Sequence, residues 1–426
     1  MLNTSKPPIY DSFSDYLNGV PKKIPSTVTF DVETTTKNKG NPFTSSNKMV
    51  SYSIKADESP SSFNHCDALD FLNELRATLQ FAKLVVGFNI KFDLHWIRRY
   101  GVTLPNRVRI WDCQIAEFII TGQRGSYPSL ADCAAKYNLG KKLDKVKELW
   151  DLGLDTTDIP IEILQEYNDE DVELTHRLYL AQKAVMSPEQ INLCLIMGLD
   201  LIVLQEMEFN GIKFDTGLCK EKSIDCATKL AEIEKQLLVY SPTPTINLDS
   251  GQQLSCFLYG GSYQSKVVDS LEQREYKSGA RKGEAYEKVN WRLDTHTFPA
   301  LFKPLPKTEY KLPIKIESED GKVTEFPVYQ AGEDILKRLK CSGKKQKEIV
   351  QLLLERAELA KLLDTYYGKL PLLLETMEWG NYLHGQYNQC VAATGRLSSS
   401  APNMQNFSGP VDTLLISRYN DGKHNL

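Results

Sequence analysis

The stretch Thr27-Val-Thr-Phe-Asp-Val-Glu-Thr34 sets Val28, Phe30 and Val32 in alternation with Thr29, Asp31 and Glu33. A period of two is that of a β-strand with one apolar face. The same alternation puts Asp31 and Glu33 one pleat apart on the opposite face. Two carboxylates so placed repel each other unless something positive lies between them, and hard oxygen ligands suit Mg²⁺ or Mn²⁺. Taken alone, the pair also reads as the solvated acidic face of an edge strand.

A length of 426 residues exceeds one ordinary core and points to two or three domains. Hydrophobic residues at 41% and charged residues at 25% describe a soluble globular protein. The chain has no unbroken run of 18 apolar residues and no basic-then-apolar start, which points to the cytoplasm. Nine cysteines without a Cys-x-x-Cys pair read as reduced thiols and exclude a zinc module. A net charge of −4 argues against unspecific wrapping of nucleic acid and leaves a local basic groove open.

After Glu33, Lys37–Lys48 reads as a loop, and Val50–Ile54 alternates again and should pair with the first strand. Asp67–Lys83 carries Leu69, Leu72, Leu75 and Leu79 near helical spacing, with Asp67 as candidate N-cap. Leu84–Phe88 reads as a short buried strand. In Gly87-Phe-Asn-Ile-Lys-Phe-Asp93, Asn89 and Asp93 stand four apart and would share one side of a helix start. Ile110-Trp-Asp112 is expected to begin another helix, Ser129–Tyr137 to form a short one, and Lys141–Lys147 to be a solvated helical face. Ile161–Leu180 has an apolar stripe through Ile163, Leu164, Tyr167, Leu174 and Leu178, with Asp171 four residues after Tyr167. A carboxylate within a buried helix face needs a partner for its charge. His65, His95 and His176 are expected to be packing or surface residues, for want of a Cys or His at ligand spacing.

Strand Asp-x-Glu, then Asn-x-x-x-Asp, then Tyr-x-x-x-Asp, all within Asp31–Asp171, resembles the three motifs of the DEDD 3′→5′ exonuclease superfamily. More closely, the set looks like the proofreading domain of the family A, polymerase-I-like and phage-type DNA polymerases. The resemblance implies an α/β exonuclease domain, with a ribonuclease-H-like mixed sheet flanked by helices. Phosphodiester hydrolysis develops charge on the attacking and the leaving oxygen, and two metal ions roughly 4 Å apart stabilise both. By resemblance, Asp31, Glu33 and Asp171 hold one Mg²⁺ or Mn²⁺ beside the attacking water, and Asp31, with Asp93 acting through a water, holds the second at the leaving oxygen. Tyr167 orients the water, and Asn89 contacts the terminal nucleotide. A sister branch carries His five residues before the last Asp; here that position is Glu166, which implies the Tyr branch.

Pro188–Phe209 is long and apolar and stops at Asn210-Gly211, and Asp215–Tyr240 is a second long helix. Ile246–Leu258 opens a shorter one. Leu204–Asp215 and Asn247–Leu254 look like the entry to a family A thumb, which is mainly helical. Gly260–Tyr329 breaks the helical pattern with short β-like pieces at Tyr310–Ile316 and Val323–Val328. It reads as an insertion, either a solvated surface or a site for DNA or a processivity factor. Lys337, Arg338, Lys340, Lys344, Lys345 and Lys347 form the densest basic run, and in a thumb Lys344 and Lys345 would meet duplex phosphates. Glu348–Glu375 reads as one long helix.

Thr394-Gly-Arg-Leu-Ser-Ser399 followed by Pro402-Asn-Met-Gln-Asn406 resembles the start of an α+β family A palm. The resemblance makes Arg396, Asn403, Gln405 and Asn406 minor-groove contacts, which test pair geometry without reading sequence. It divides the chain into exonuclease (1–186), thumb with an insertion near 260–330 (187–378), and beginning of the palm (379–426). In the family, a catalytic palm Asp, the fingers and the second palm Asp follow. On this reading 1–426 does not extend a primer by itself. It is expected to be either half of a split phage-type polymerase completed by a second polypeptide, or a truncated form of a single-chain enzyme. Three functions stand beside one another: a DNA 3′→5′ exonuclease, a primer–template binding module, and a ribonuclease trimming RNA 3′ ends. The thumb and palm strings count against the third.

Overall fold

The computed structural model describes residues 26–124, 128–141, 145–279, 281–317, 322–407 and 409–419. Residues 142–144 of the expected helical face Lys141–Lys147, and the chain beyond Tyr419, lie outside them. The chain forms two compact units, Met1–Thr216 with Leu370–Leu426, and Gly217–Lys369.

The first unit is built on a five-stranded sheet. Its strands are β1 (Thr27–Thr34), β2 (Met49–Ala56), β3 (Ser62–His65), β4 (Leu84–Gly87) and β5 (Arg109–Asp112), in the order β3-β2-β1-β4-β5. β1 runs antiparallel to β2 and parallel to β4, and β5 is parallel to β4. The edge-strand alternative for β1 is thereby corrected: it is the central strand, and Val28, Thr29 and Phe30 are all buried.

Five helices pack on this sheet before a sixth long one crosses it: α1 (Asn73–Phe81), α2 (Lys91–Arg99), α3 (Cys113–Ile120), α4 (Leu130–Lys136) and α5 (Lys145–Asp151) precede α6 (Ile161–Val185). α1 starts later than the leucine spacing suggests. Leu72, Leu75 and Leu79 are buried, but Leu69 is fully exposed in a turn and Asp67 caps nothing. Ile110–Trp111–Asp112 is strand, and the helix begins at Cys113 with Asp112 as its N-cap. So short a stretch, with only Ile110 and Trp111 apolar, fits either element, and here the parallel pairing with β4 decides.

Ser187 caps α7 (Pro188–Asn210) through a capping box with Gln190, and Gly211 at φ 59° ends it. Among the described residues α7 alone is long and apolar enough to cross a membrane, its window averaging a hydropathy of 1.4. Cys194 and Leu201 instead enter the core of the first unit. A Cβ on Gly198 would lie 2.5 Å from the Ile110 carbonyl oxygen, so only glycine permits this approach to β5. β6 (Ile212–Phe214) follows.

The second unit contains α8 (Thr216–Leu238), α9 (Gly251–Tyr259), the hairpin β7 (Gly261–Glu275) and β8 (Ala285–Phe298), and the pair β9 (Ile314–Glu317) and β10 (Val323–Phe326). α10 (Glu333–Leu336) and α11 (Lys344–Lys361) complete it. The hairpin corrects the expectation of only short strands, since its register runs from Gly261↔Phe298 to Glu275↔Ala285. Past its buried root it is exposed, with Val268, Leu271, Trp291 and Leu293 each about half accessible. The expected single helix Glu348–Glu375 is interrupted by a π turn, Leu362–Gly368, before α12 (Lys369–Met377). The chain then adds β11 (Tyr382–Leu383), β12 (Gln386–Asn388), β13 (Ser398–Ser400) and β14 (Leu415–Ile416) to the first unit; β11 and β14 flank β6, and β12 pairs with β13.

Candidate active site

β1 and α6 bring the acidic residues together. Asp31, Glu33 and Asp171 each offer a carboxylate oxygen, all within 4.8 Å of one another. Glu33 and Asp171 are buried. Asp93 comes from the first turn of α2, is 2% exposed, and accepts a hydrogen bond from the Val32 amide at 3.1 Å. Burial first, and then the charges of Asp31 and Glu33, hold the Asp93 carboxyl well above the usual carboxylate range. An all-oxygen set under such mutual repulsion fits a hard divalent cation.

Tyr167 lies one helical turn before Asp171 and is 5% exposed. Its ring meets Trp150 edge-on at 6.0 Å, and its hydroxyl bonds to Asp171. Burial, followed by the charges of Glu33, Asp171 and Asp31, keeps the phenol protonated throughout the ordinary pH range.

Asn89 does not share the helix of Asp93. It precedes α2 in the left-handed region, at φ 56°, and is exposed. Asp112 makes that turn possible: its carboxylate accepts from the amides of Asn89 (3.2 Å) and Ile90 (3.0 Å) as well as from Gln114 (2.8 Å) at its own helix. Asn89 opens on a cavity of about 290 Å³ walled also by Lys91, Gln114, Gln386 and Asn388.

Three further buried groups escape spacing arguments. Asp112 had a readable signal, an N-cap residue ahead of an apolar helix. Asn168, fully buried, donates from Nδ2 to Asp31 Oδ2 at 3.1 Å and accepts from Ser51 Oγ at 3.3 Å. Glu208 on α7 accepts from Lys91 Nζ (2.5 Å), His95 Nε2 (2.8 Å) and the Tyr387 amide (2.6 Å). Lys91 in turn donates to the Tyr387 carbonyl, so β12 is gripped through both backbone groups of one residue.

The histidines pack as expected, His95 on Glu208 and His176 on Thr29. His65, however, does have a neighbouring Cys at ligand reach: with Cys66 and Asp67 it brings three ligand atoms together in a partly exposed turn. Arg396, Asn403, Gln405 and Asn406 are exposed on the loop and 3₁₀ turn flanking β13. Asn403 accepts from the Gln405 amide at 3.1 Å, and Gln405 Nε2 donates to the Leu397 carbonyl at 3.3 Å. Lys344 and Lys345 are exposed in the first turn of α11, in the second unit.

Residues 11–184 match the family described as 3′-5′ exonuclease, and residues 307–421 match the one described as DNA polymerase family A. DNA polymerase I of Pseudomonas aeruginosa is 25% identical over 332 residues, which is 76% of this chain and 29% of that protein. The DNA polymerase of Bacillus phage SP01 is 22% identical over 362 residues, 82% of this chain and 36% of the relative. A thermostable DNA polymerase I from Thermus filiformis reaches 49% identity over 70 residues, 16% of this chain and 8% of that one. The chain thus spans well under half the length of these relatives. The fold is similar to that of the polymerase domain of Pol1 from M. smegmatis, solved in complex with DNA primer-template and dNTP. The TM-score is 0.57 and the identity 18%, over 92% of this chain and 55% of that one.

Proposed function

We propose that the chain is a member of DNA polymerase family A whose 3′–5′ exonuclease domain removes 3′-terminal nucleotides from DNA by metal-dependent hydrolysis, as a proofreading activity; the matches of residues 307–421 and 11–184 to those two families support this reading. The observation that carries the reading is the meeting of Asp31, Glu33 and Asp171 from two elements, with Tyr167 bonded to one of them. Asp31, Glu33 and Asp171 would hold one Mg²⁺ or Mn²⁺, and Asp31 with Asp93 the second. Bound there, divalent ions supply a nucleophilic hydroxide at neutral pH and neutralise charge on the leaving oxygen. Tyr167, protonated and fixed by Trp150, presents a hydroxyl to orient the attacking water. Asn89, exposed above the cavity, would contact the terminal nucleotide.

In this proposal residues 1–186 are the exonuclease, 187–378 the thumb and 379–426 the start of the palm. The exposed apolar strip of the β7–β8 hairpin supports a protein partner such as a processivity factor at the insertion. Lys344 and Lys345 would add phosphate contacts. The bacterial and phage relatives support a cytoplasmic site of action.

A second reading, a primer–template binding module, is favoured by the exposure of Arg396, Asn403, Gln405 and Asn406 on one short stretch. The test is a 5′-labelled primer–template incubated with Mg²⁺, with and without dNTPs. Shortening of the primer supports the exonuclease. Binding without any reaction supports the second reading and overturns the first.

A further inference from the structure

Asn168 follows Tyr167 on α6 and faces β1 and β2, where no solvent reaches it. Its Nδ2 donates to Asp31 Oδ2 at 3.1 Å, and its Oδ1 accepts from Ser51 Oγ at 3.3 Å. Ser51 is itself fully buried, and it sits opposite Glu33 in the β1–β2 register. Two residues on, Ser53, opposite Asp31, donates to Asp169 Oδ1 at 2.8 Å. Two successive residues of α6 are therefore fixed to alternate serines of β2, beside the two carboxylates that β1 presents.

The orientation of the amide follows from charge. A flipped Asn168 would turn its carbonyl oxygen against the Asp31 carboxylate and lose a donor, whereas the Ser51 hydroxyl rotates to suit either end. A donor to a carboxylate favours its ionised form and fixes its plane. That bias opposes the repulsion among Asp31, Glu33, Asp93 and Asp171. An amide is also the side chain of this size that gives a donor without adding another negative charge.

We infer that Asn168, held by Ser51, is a positioning residue for the divalent-cation site, setting the orientation of the Asp31 carboxylate that would bind the ion. This rests on the exonuclease reading above. The general effect of such outer contacts on metal affinity is about 10- to 100-fold.

The test is Mn²⁺ binding to the full chain without DNA, followed by calorimetry, together with the thermal midpoint of the metal-free protein. Asn168→Leu, near in volume but without a donor, is expected to weaken Mn²⁺ binding about tenfold. Ser51→Ala, which frees the amide but keeps it, is expected to weaken binding in the same direction by a smaller factor. Nucleotide release by Asn168→Leu should recover as Mn²⁺ is raised, so that the metal concentration for half-maximal rate moves more than kcat. If Asn168→Leu and Ser51→Ala both bind Mn²⁺ within twofold of the parent, while the metal-free midpoint drops, Asn168 is a packing residue and the inference fails. Should Asn168→Leu not fold, unchanged binding by Ser51→Ala overturns it alone. If the parent and Asp31→Ala bind Mn²⁺ alike, the exonuclease reading fails first and removes the inference with it.

Discussion

Replacing Glu208 with alanine should destabilise the first unit by about 3 kcal/mol. The carboxylate is 3% exposed, and burial alone would push it up. The hydrogen bond from His95 and the charge of Lys91 overcome that and hold it below the usual range, so it is ionised. His95, pushed down by burial, is neutral near pH 7, with Nε2 donating to Glu208 and Nδ1 facing the Gln205 amide. Alanine therefore strands a lysine charge, a ring N–H and the Tyr387 amide together. Breaking a buried pair costs about 3–5 kcal/mol, and Lys91, with 16% of its side chain exposed, can partly rehydrate, which sets the lower end. For a unit of this size about 3 kcal/mol corresponds to a fall of roughly 6–12 °C in midpoint. The assay is thermal unfolding combined with hydrogen exchange of the Tyr387 amide, which should exchange faster in the variant. In a Lys91→Met, Glu208→Ala double variant the losses should sum to less than the two singles by about 1–2 kcal/mol. A midpoint within 2 °C of the parent, with Tyr387 exchange unchanged, would refute the reasoning.

Asp31→Ala and Asp93→Ala should each abolish primer shortening while duplex binding in a gel shift stays at the parental level; loss of binding in both sinks the assignment. Tyr167→Phe should digest about tenfold or more slowly without being dead, since it loses an orienting hydroxyl and no metal ligand; parental activity would remove its role. Gly198→Ala should cost about 1–3 kcal/mol in unfolding free energy, because the new methyl lies 2.5 Å from a backbone oxygen that cannot swing aside, and undiminished stability would contradict that packing. Burial pulls His95, His176 and His384 below the ordinary histidine value, and among the described residues His176 Nε2 has no acceptor for the N–H that protonation would create. The unfolded chain takes up those protons near pH 6.5 while the folded one does not, so stability present above that pH should decline below it. A thermal midpoint that holds or rises from pH 7.5 to 5.5 would count against this, as would an undiminished slope in His176→Asn.

The parts of the site that chemistry must write into sequence were legible. Asp31 and Glu33 alternate along β1, and Tyr167 and Asp171 share a helical turn, but each pair alone also fits a solvated face, and only the resemblance to three motifs in order joined them. Asn168 was not legible, because an amide beside Tyr167 looks like any polar residue until α6 crosses β2 and brings Ser51 to it. Glu208 likewise reads as a polar residue of α7, and its lysine and histidine lie more than a hundred positions away. The β7–β8 hairpin was hidden for another reason. Most of its length is exposed on both faces and a bulge between Val268 and Ser270 breaks its alternation, so no period of two survives to be read.

The chain leaves the first unit once, at Thr216, and re-enters it once, at Leu370. Between Val185 and that exit, α7 contributes Cys194 and Leu201 to the core, Gly198 to the face of β5, and Glu208 to the grip on β12. An exchange of gene segments that cut near residue 186 would therefore divide one core between two donors and strand Lys91 and His95 from their carboxylate. An exchange with its crossovers at Thr216 and Lys369 would replace Gly217–Lys369 whole. Recombination among relatives should accordingly keep the carboxylates of Asp31, Glu33, Asp93 and Asp171 together with α7 and β12.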